Sequence, residues 1–177
     1  MEASCCGMAE TLRERVGAAL LEKSPVMLAG LAERFGVSEL DIARALPEEM
    51  RAFAGPEAFD AVWQSLTGWE SATFIALCGG SVLEIKGKIP AGAHGHGYFN
   101  LKGGDGGLGG HLRIEGLGRI AFLSLPFMGR ESHSVQFFDV AGAVLFSVYV
   151  GRENHKLIPA ARDAFFALRE AVGKERT

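Results

Sequence analysis

The stretch TFIALCGGSVLEIK, residues 73–86, decides the fold. Two β-rich runs, 73–78 and 81–86, flank Gly79-Gly80. A glycine pair between such runs is a strong signal for a tight hairpin. Downstream the chain keeps the period of strands. Residues 96–102 and 110–115 flank a glycine-rich turn, and 119–126, 132–139 and 143–150 follow. Asp139-Val-Ala-Gly142 reads as the turn between the last two. Residues 158–172 then read as a closing helix, with Phe165, Leu168 and Val172 on one face.

Upstream the pattern is helical. Leu12, Val16, Ala19, Leu20 and Lys23 mark one face of a helix that Pro25 ends. A second helix, 26–35, stops at Gly36, a left-handed cap. Ser38 caps a third, 39–46, with Asp41 favourable in its first turn and Pro47 closing it. Phe59, Val62, Trp63 and Leu66 mark a fourth. Helices, then about seven consecutive strands, then a helix predict an α+β fold with an antiparallel sheet, not alternating βαβ units. The expectation is one domain over 1–177: a helical front part at 1–70, the sheet at 71–157 and the C-terminal helix at 158–177.

Composition agrees with a single globular unit. Hydrophobic residues are 48% and charged residues 22% of 177, enough for a core without staples. The net charge of −3 is unevenly spread: residues 1–70 carry six Lys/Arg against twelve Asp/Glu, and 71–177 carry twelve against nine. An acidic front half is a poor surface for phosphate, whereas the mildly basic remainder attracts a small acidic ligand. Cys5, Cys6 and Cys78 form no disulfide framework, with Cys5 and Cys6 in a frayed terminus; a reducing, cytoplasmic setting is expected. Neither a signal peptide nor a membrane span is read.

Residues 28–46 have the spacing of a helix-turn-helix, but the second helix opens Ser38-Glu39-Leu40-Asp41, placing carboxylates where phosphate would lie. The pair reads as structural, and no nucleic acid is expected. GxSxG, P-loop, Rossmann and CxxCH motifs are absent.

The segment 91–111 is different. It carries three of the five histidines, a tyrosine and nine glycines. In one extended strand His94, His96 and Tyr98 point to one face, while Gly95 and Gly97 leave the other bare for a flat body. The bland alternative is a strand end with exposed histidines. A cupin-like metal site needs a carboxylate where Asn100 stands, and Asp105 serves only if its loop folds back. His111 begins a strand after Gly109-Gly110. His133 and His155 read as surface or helix-cap groups.

The region 94–155 resembles the cytosolic haem-utilisation carriers of the ChuX/HutX group. The marks are HGYFNL (96–101), GGH (109–111), Phe127-Met-Gly129, Phe137-Phe138 and VGRENH (150–155). The likeness continues upstream through 31–47 and 59–69. It implies a strongly bent antiparallel sheet with helices at its edges, a homodimer, and kinship with one half of larger haem-degrading proteins. It also implies a role: holding haem b without a covalent link and passing it to a degrading enzyme or other acceptor.

Haem needs apolar walls, one or two axial donors and cations near its propionates. The resemblance makes Tyr98 and His111 the candidate iron donors, with His96 and His94 behind them. Phe99, Phe127 and Met128 are candidate walls; Lys102, Arg113 and Arg130 are candidate propionate partners. Some members carry a further histidine on the strand that here reads 73–78, and this chain has none there. Ligation by one protein donor, or one completed by another histidine of 94–111, is expected. The alternatives are a haem-degrading or haem-remodelling enzyme fed by an external reductant, a metal-binding protein and a DNA-binding regulator.

Overall fold

The computed structural model describes residues 3–22, 25–78, 80–104 and 107–173, with side chains from Thr11 onward. Lys23, Gly79 and Asp105, and the side chains of Cys5 and Cys6, lie outside the described residues. Helices α1 (Ala3–Leu20), α2 (Leu28–Phe35) and α3 (Glu39–Ala45) come first, so the expected frayed terminus is helical from Ala3. Strand β1 (Arg51–Ala54) follows, then α4 (Phe59–Thr67). Then come β2 (Ala72–Cys78), β3 (Ser81–Gly87), β4 (Gly92–Gly95), β5 (Tyr98–Leu101), β6 (Gly110–Leu112), β7 (Leu117–Leu123), β8 (Ser134–Asp139) and β9 (Val144–Val150). The short hairpin β10 (Arg152–Glu153) and β11 (Lys156–Leu157) leads into α5 (Pro159–Val172).

The fold is α+β, and its strand pairs among the described residues are antiparallel. The main sheet has the order β1-β7-β8-β9-β2-β3, and β4-β5-β6 form a separate small sheet. Strand β1 lies in the part read as helical. Its four residues are all buried and give no period-2 signal, and it pairs with the distant β7, Phe53 standing opposite Ala121. Sequence spacing cannot show such a partner.

Alternation along β8 and β9 sorts the main sheet into two faces. Val135, Phe137, Phe146, Val148 and Val150 join α4, α5 and the small sheet in one core. Its centre is aromatic: Phe137 and Phe146 lie 4.5 Å apart, Phe59 and Trp63 5.7 Å, all within the range where ring pairs attract. The opposite face is covered only in part. Phe53, Ala121, Leu123 and Phe138 pack beneath α1–α3, and the remainder, toward β2 and β3, stays open.

The α2–α3 pair is fastened to the sheet by its turn chemistry. Gly36 closes α2 at φ 67°, and Ser38 and Asp41 complete a capping box at α3. The Leu40 amide donates to Gly142 O at 2.9 Å, and the Val144 amide donates to Glu39 Oε2 at 2.7 Å. The start of α3 is thus bound to the β8–β9 turn, which leaves a helix-turn-helix reading without its recognition end. Gly142 stands at φ +87°, where a Cβ would come within 2.6 Å of Ser38 Oγ. Gly142→Ala is expected to cost about 1–2 kcal/mol through the left-handed backbone alone, read as a lower urea midpoint at unchanged slope. An unchanged midpoint would show that this turn does not hold α3.

Candidate functional site

The segment 92–112 folds back on itself. Gly95 pairs with Tyr98, and His96 (φ 54°) and Gly97 (φ 78°) make a two-residue turn with both angles positive. The expectation of one continuous strand with His94, His96 and Tyr98 on one face is therefore corrected. The reversal at His96-Gly97 breaks the alternation and leaves His96 exposed at the tip.

Register then divides the candidates, because residues opposite each other share a face. His94 faces Phe99, and Phe99 faces Leu112. This side packs inward. Phe99 is 4% exposed, with its ring 5.0 Å from Phe59 and 5.5 Å from Trp63. Gly92 makes the room, since a Cβ there would lie 2.2 Å from Phe99 Cε1. Phe99 is part of the core. His94 is edge-on to Phe99 and meets Asp60 through Nε2 at 2.7 Å, which ties the small sheet to α4.

Tyr98, Asn100 and His111 occupy the outward side. The Tyr98 and His111 rings are 5.9 Å apart. The Arg113 guanidinium carbon lies 5.7 Å from the centre of the Tyr98 ring. Its hydrogen bond to Tyr98, and the charge interaction with that side chain, raise Arg113 above the ordinary guanidinium value. Arg113, read from sequence as a propionate partner, is thus engaged by the tyrosine. His111 Nδ1 meets Asn100 Oδ1 at 2.6 Å. A shallow depression of about 430 Å³ lies at the hairpin end, bordered by His94, Gly95, Gly97, Tyr98, Ile114 and Glu115. The glycines leave a flat ligand room and Tyr98 gives it an oxygen donor, while His111 stands beside Tyr98 without bordering the depression.

Phe127, Met128 and Arg130 lie elsewhere. Phe127 and Arg130 bridge across a turn with Met128 at φ 51° and Gly129 at φ 72°, and all three side chains are exposed. Phe127 borders a groove of about 470 Å³ on the open face of the main sheet. The groove floor is polar: Gln136 Nε2 donates to Ser134 Oγ at 3.0 Å and to Tyr149 Oη at 3.2 Å. Ile75, Leu77, Val82 and Met27 supply apolar walls, with Lys86 and Arg152 at the border. Burial pushes the Tyr149 phenol up from its ordinary value, so it serves as a neutral hydrogen-bonding group. Lys102 is exposed; its backbone amide donates to Ala91 O at 2.8 Å. The volume suits a small-molecule ligand, and neither Tyr98 nor His111 lines this groove.

His133, read as a surface group, is corrected to a buried one at 4% exposure. Its Nδ1 meets Ser124 Oγ at 2.9 Å and its Nε2 meets Glu131 Oε1 at 2.7 Å, while Arg162 holds the same carboxylate oxygen at 2.7 Å. The order Ser–His–Glu is that of a hydrolytic relay, but Ser124 borders neither cavity described above. The cluster instead joins the β7–β8 connection to α5. Its partners are spread over 124–169, so no local pattern announces it. His155 sits in the β10–β11 turn at φ 65°. Among the described residues, no three of His, Cys, Asp and Glu gather as a metal site, Cys78 is free and exposed, and no helix is long and apolar enough to cross a membrane.

Known proteins share this fold and much of this sequence. Residues 52–168 match the family model for haem utilisation ChuX/HutX. The intracellular haem transport protein HutX of Vibrio cholerae serotype O1 is 42% identical over 163 residues, which are 91% of this chain and 84% of that protein. The structure of the haem-binding protein ChuX superposes with a TM-score of 0.80 at 29% identity, covering 90% of this chain and 97% of that one. The haem-degrading enzyme ChuS of Escherichia coli O157:H7 matches with a TM-score of 0.68 at 13% identity, over 85% of this chain and 46% of that one. That last likeness is one of fold, over less than half of the larger protein. Two-thirds of the chain lying within the family model, and a relative matched over most of both lengths, make this protein a member of the ChuX/HutX haem-utilisation family.

Proposed function

We propose that this protein is a haem carrier: it takes up haem b without a covalent bond in the cytoplasm and passes it to a haem-degrading enzyme or another acceptor. One observation carries the reading. In a chain of the ChuX/HutX family, Tyr98 and His111 stand side by side on the solvent-facing side of a small sheet, with glycines beside them. Either donor suits ferric haem, Tyr98 as an oxygen ligand and His111 as an imidazole. Lys102, which directly follows β5, is the cation proposed for a propionate; Arg130, in the 127–130 turn, is not part of this site. An open face suits a carrier, because cargo held by one accessible axial bond leaves faster than cargo enclosed on both sides.

Haem is cargo in this reading, and the chain performs no chemistry on it. As a homodimer it would also cover β3, an edge strand with Val82 54% and Leu83 55% exposed. The test is an absorption titration with ferric haem, run beside Tyr98→Phe and His111→Ala. The wild type is expected to give a saturable Soret band. The substitution that removes the axial donor is expected to reshape that band and weaken binding by about 10-fold or more. A titration without saturation in all three proteins would sink the proposal. Loss of the porphyrin when reductant is added would replace the carrier with an enzyme.

A further inference from the structure

Asn100 sits where a metal-binding HxH strand would place a carboxylate, and the structure gives it another task. Its side-chain amide is oriented by its surroundings. Nδ2 lies 3.0 Å from Gly95 O, 3.2 Å from Ala93 O and 3.4 Å from Tyr98 O, all acceptors. The amide nitrogen must therefore face these carbonyls, and Oδ1 must face away from them. Oδ1 meets His111 Nδ1 at 2.6 Å. An amide oxygen only accepts, so neutral His111 carries its proton on Nδ1 and its lone pair on Nε2. An unconstrained imidazole prefers the other arrangement. The register adds to this: Asn100 pairs directly with His111, on the side of the small sheet that holds Tyr98.

The geometry points to Asn100 as a positioning residue that fixes the tautomer and ring plane of His111, presenting its unprotonated Nε2 as the haem-iron donor on the Tyr98 face. This rests on the carrier reading above and goes further by choosing between its two donors. Histidines that bind metals generally donate their second N–H to a fixed acceptor, and losing that acceptor weakens the site by about 10- to 100-fold. Here the acceptor is held by three backbone carbonyls of the same hairpin, so the β4–β5 fold itself sets the chemistry of a side chain on β6.

The experiment uses the full chain with Asn100→Leu and His111→Ala. Long-range proton–nitrogen correlation spectra of the haem-free proteins, at about pH 8 where an ordinary histidine is neutral, read the tautomer without haem. The wild type is expected to show His111 protonated on Nδ1. Asn100→Leu is expected to move the proton largely to Nε2. In ferric haem titrations, Asn100→Leu is expected to take on the spectrum of His111→Ala and to lose about 10-fold or more in affinity. A wild-type His111 protonated on Nε2 would overturn the inference. So would an Asn100→Leu spectrum matching the wild type, which is the result expected if Tyr98 alone binds the iron, and which leaves the carrier reading standing. Failure of the carrier reading looks different: the wild type itself takes up no haem, and the ligand role falls with it.

Discussion

Phe99→Ala is expected to destabilise the protein by about 3–5 kcal/mol, the cost of removing a large aromatic side chain from a packed core. The residue is 4% exposed and touches the rings of Phe59, Trp63 and His94, with centroid separations of 5.0, 5.5 and 5.2 Å. It is the anchor by which β5 holds the small sheet against α4. Its loss leaves a cavity that Gly92, with no side chain, cannot fill. Urea unfolding would read the effect as a lower midpoint at unchanged slope. Phe99→Leu keeps most of the volume and should cost less than about 1.5 kcal/mol. If Phe99→Ala instead left the midpoint in place and altered only the haem spectrum, Phe99 would be the pocket wall that its place beside Tyr98 first indicates.

The contrast between Phe99 and Tyr98 shows what the sequence can and cannot disclose. Adjacent residues of a strand point to opposite faces, so one of the two had to turn inward. Which one depends on the pairing of β5 with β4 and β6, and that is fixed by the turn at His96-Gly97. A histidine at φ 54° is an uncommon turn residue, so nothing local marks the reversal and the HGHGY run reads as one strand. The Gly79-Gly80, Asp139–Gly142 and Gly36 signals were legible because glycine and Asx residues mark turns locally. Amphipathic spacing likewise made α2, α3, α4 and α5 readable. Strand β1 was not, because four consecutive buried residues carry no period.

At the site the same division holds. Residue types that bind haem were visible, as were the motifs around them. Their partners were not. Arg113 reaches Tyr98, and Asn100 reaches His111, across strands whose register no linear spacing reveals. The open groove is likewise assembled from β2, β3, β8, β9 and the start of α2, and its polar floor alternates with core residues on the same strands.

The second large effect concerns His133, which no sequence signal placed in the interior. Burial lowers its pKa from the ordinary 6.5, and the opposing pull of the Glu131 carboxylate does not cancel this. The unfolded chain therefore takes up a proton on His133 near pH 6.5, while the folded chain resists until the pH is lower. The stability this group contributes is complete above 6.5 and falls as pH drops through the folded value. Glu131 acts in the same direction at lower pH. Its hydrogen bonds from His133 and Arg162 hold it below the ordinary 4.5, so its contribution is present above 4.5 and lost as pH falls through the folded value. Unfolding free energy is thus expected to decline in two stages on acidification, the first assigned to His133. His133→Ala should cost about 2–4 kcal/mol at neutral pH, combining a cavity against Phe165 with the loss of its hydrogen bond to the half-buried Ser124 hydroxyl. His133→Phe keeps a ring stacked on Phe165, now 5.0 Å away, and separates the two contributions. It should restore part of the stability while abolishing the first stage. A first stage that persists in His133→Phe would assign the acid sensitivity to another group and reduce the Ser124–His133–Glu131 cluster to simple packing between the sheet and α5.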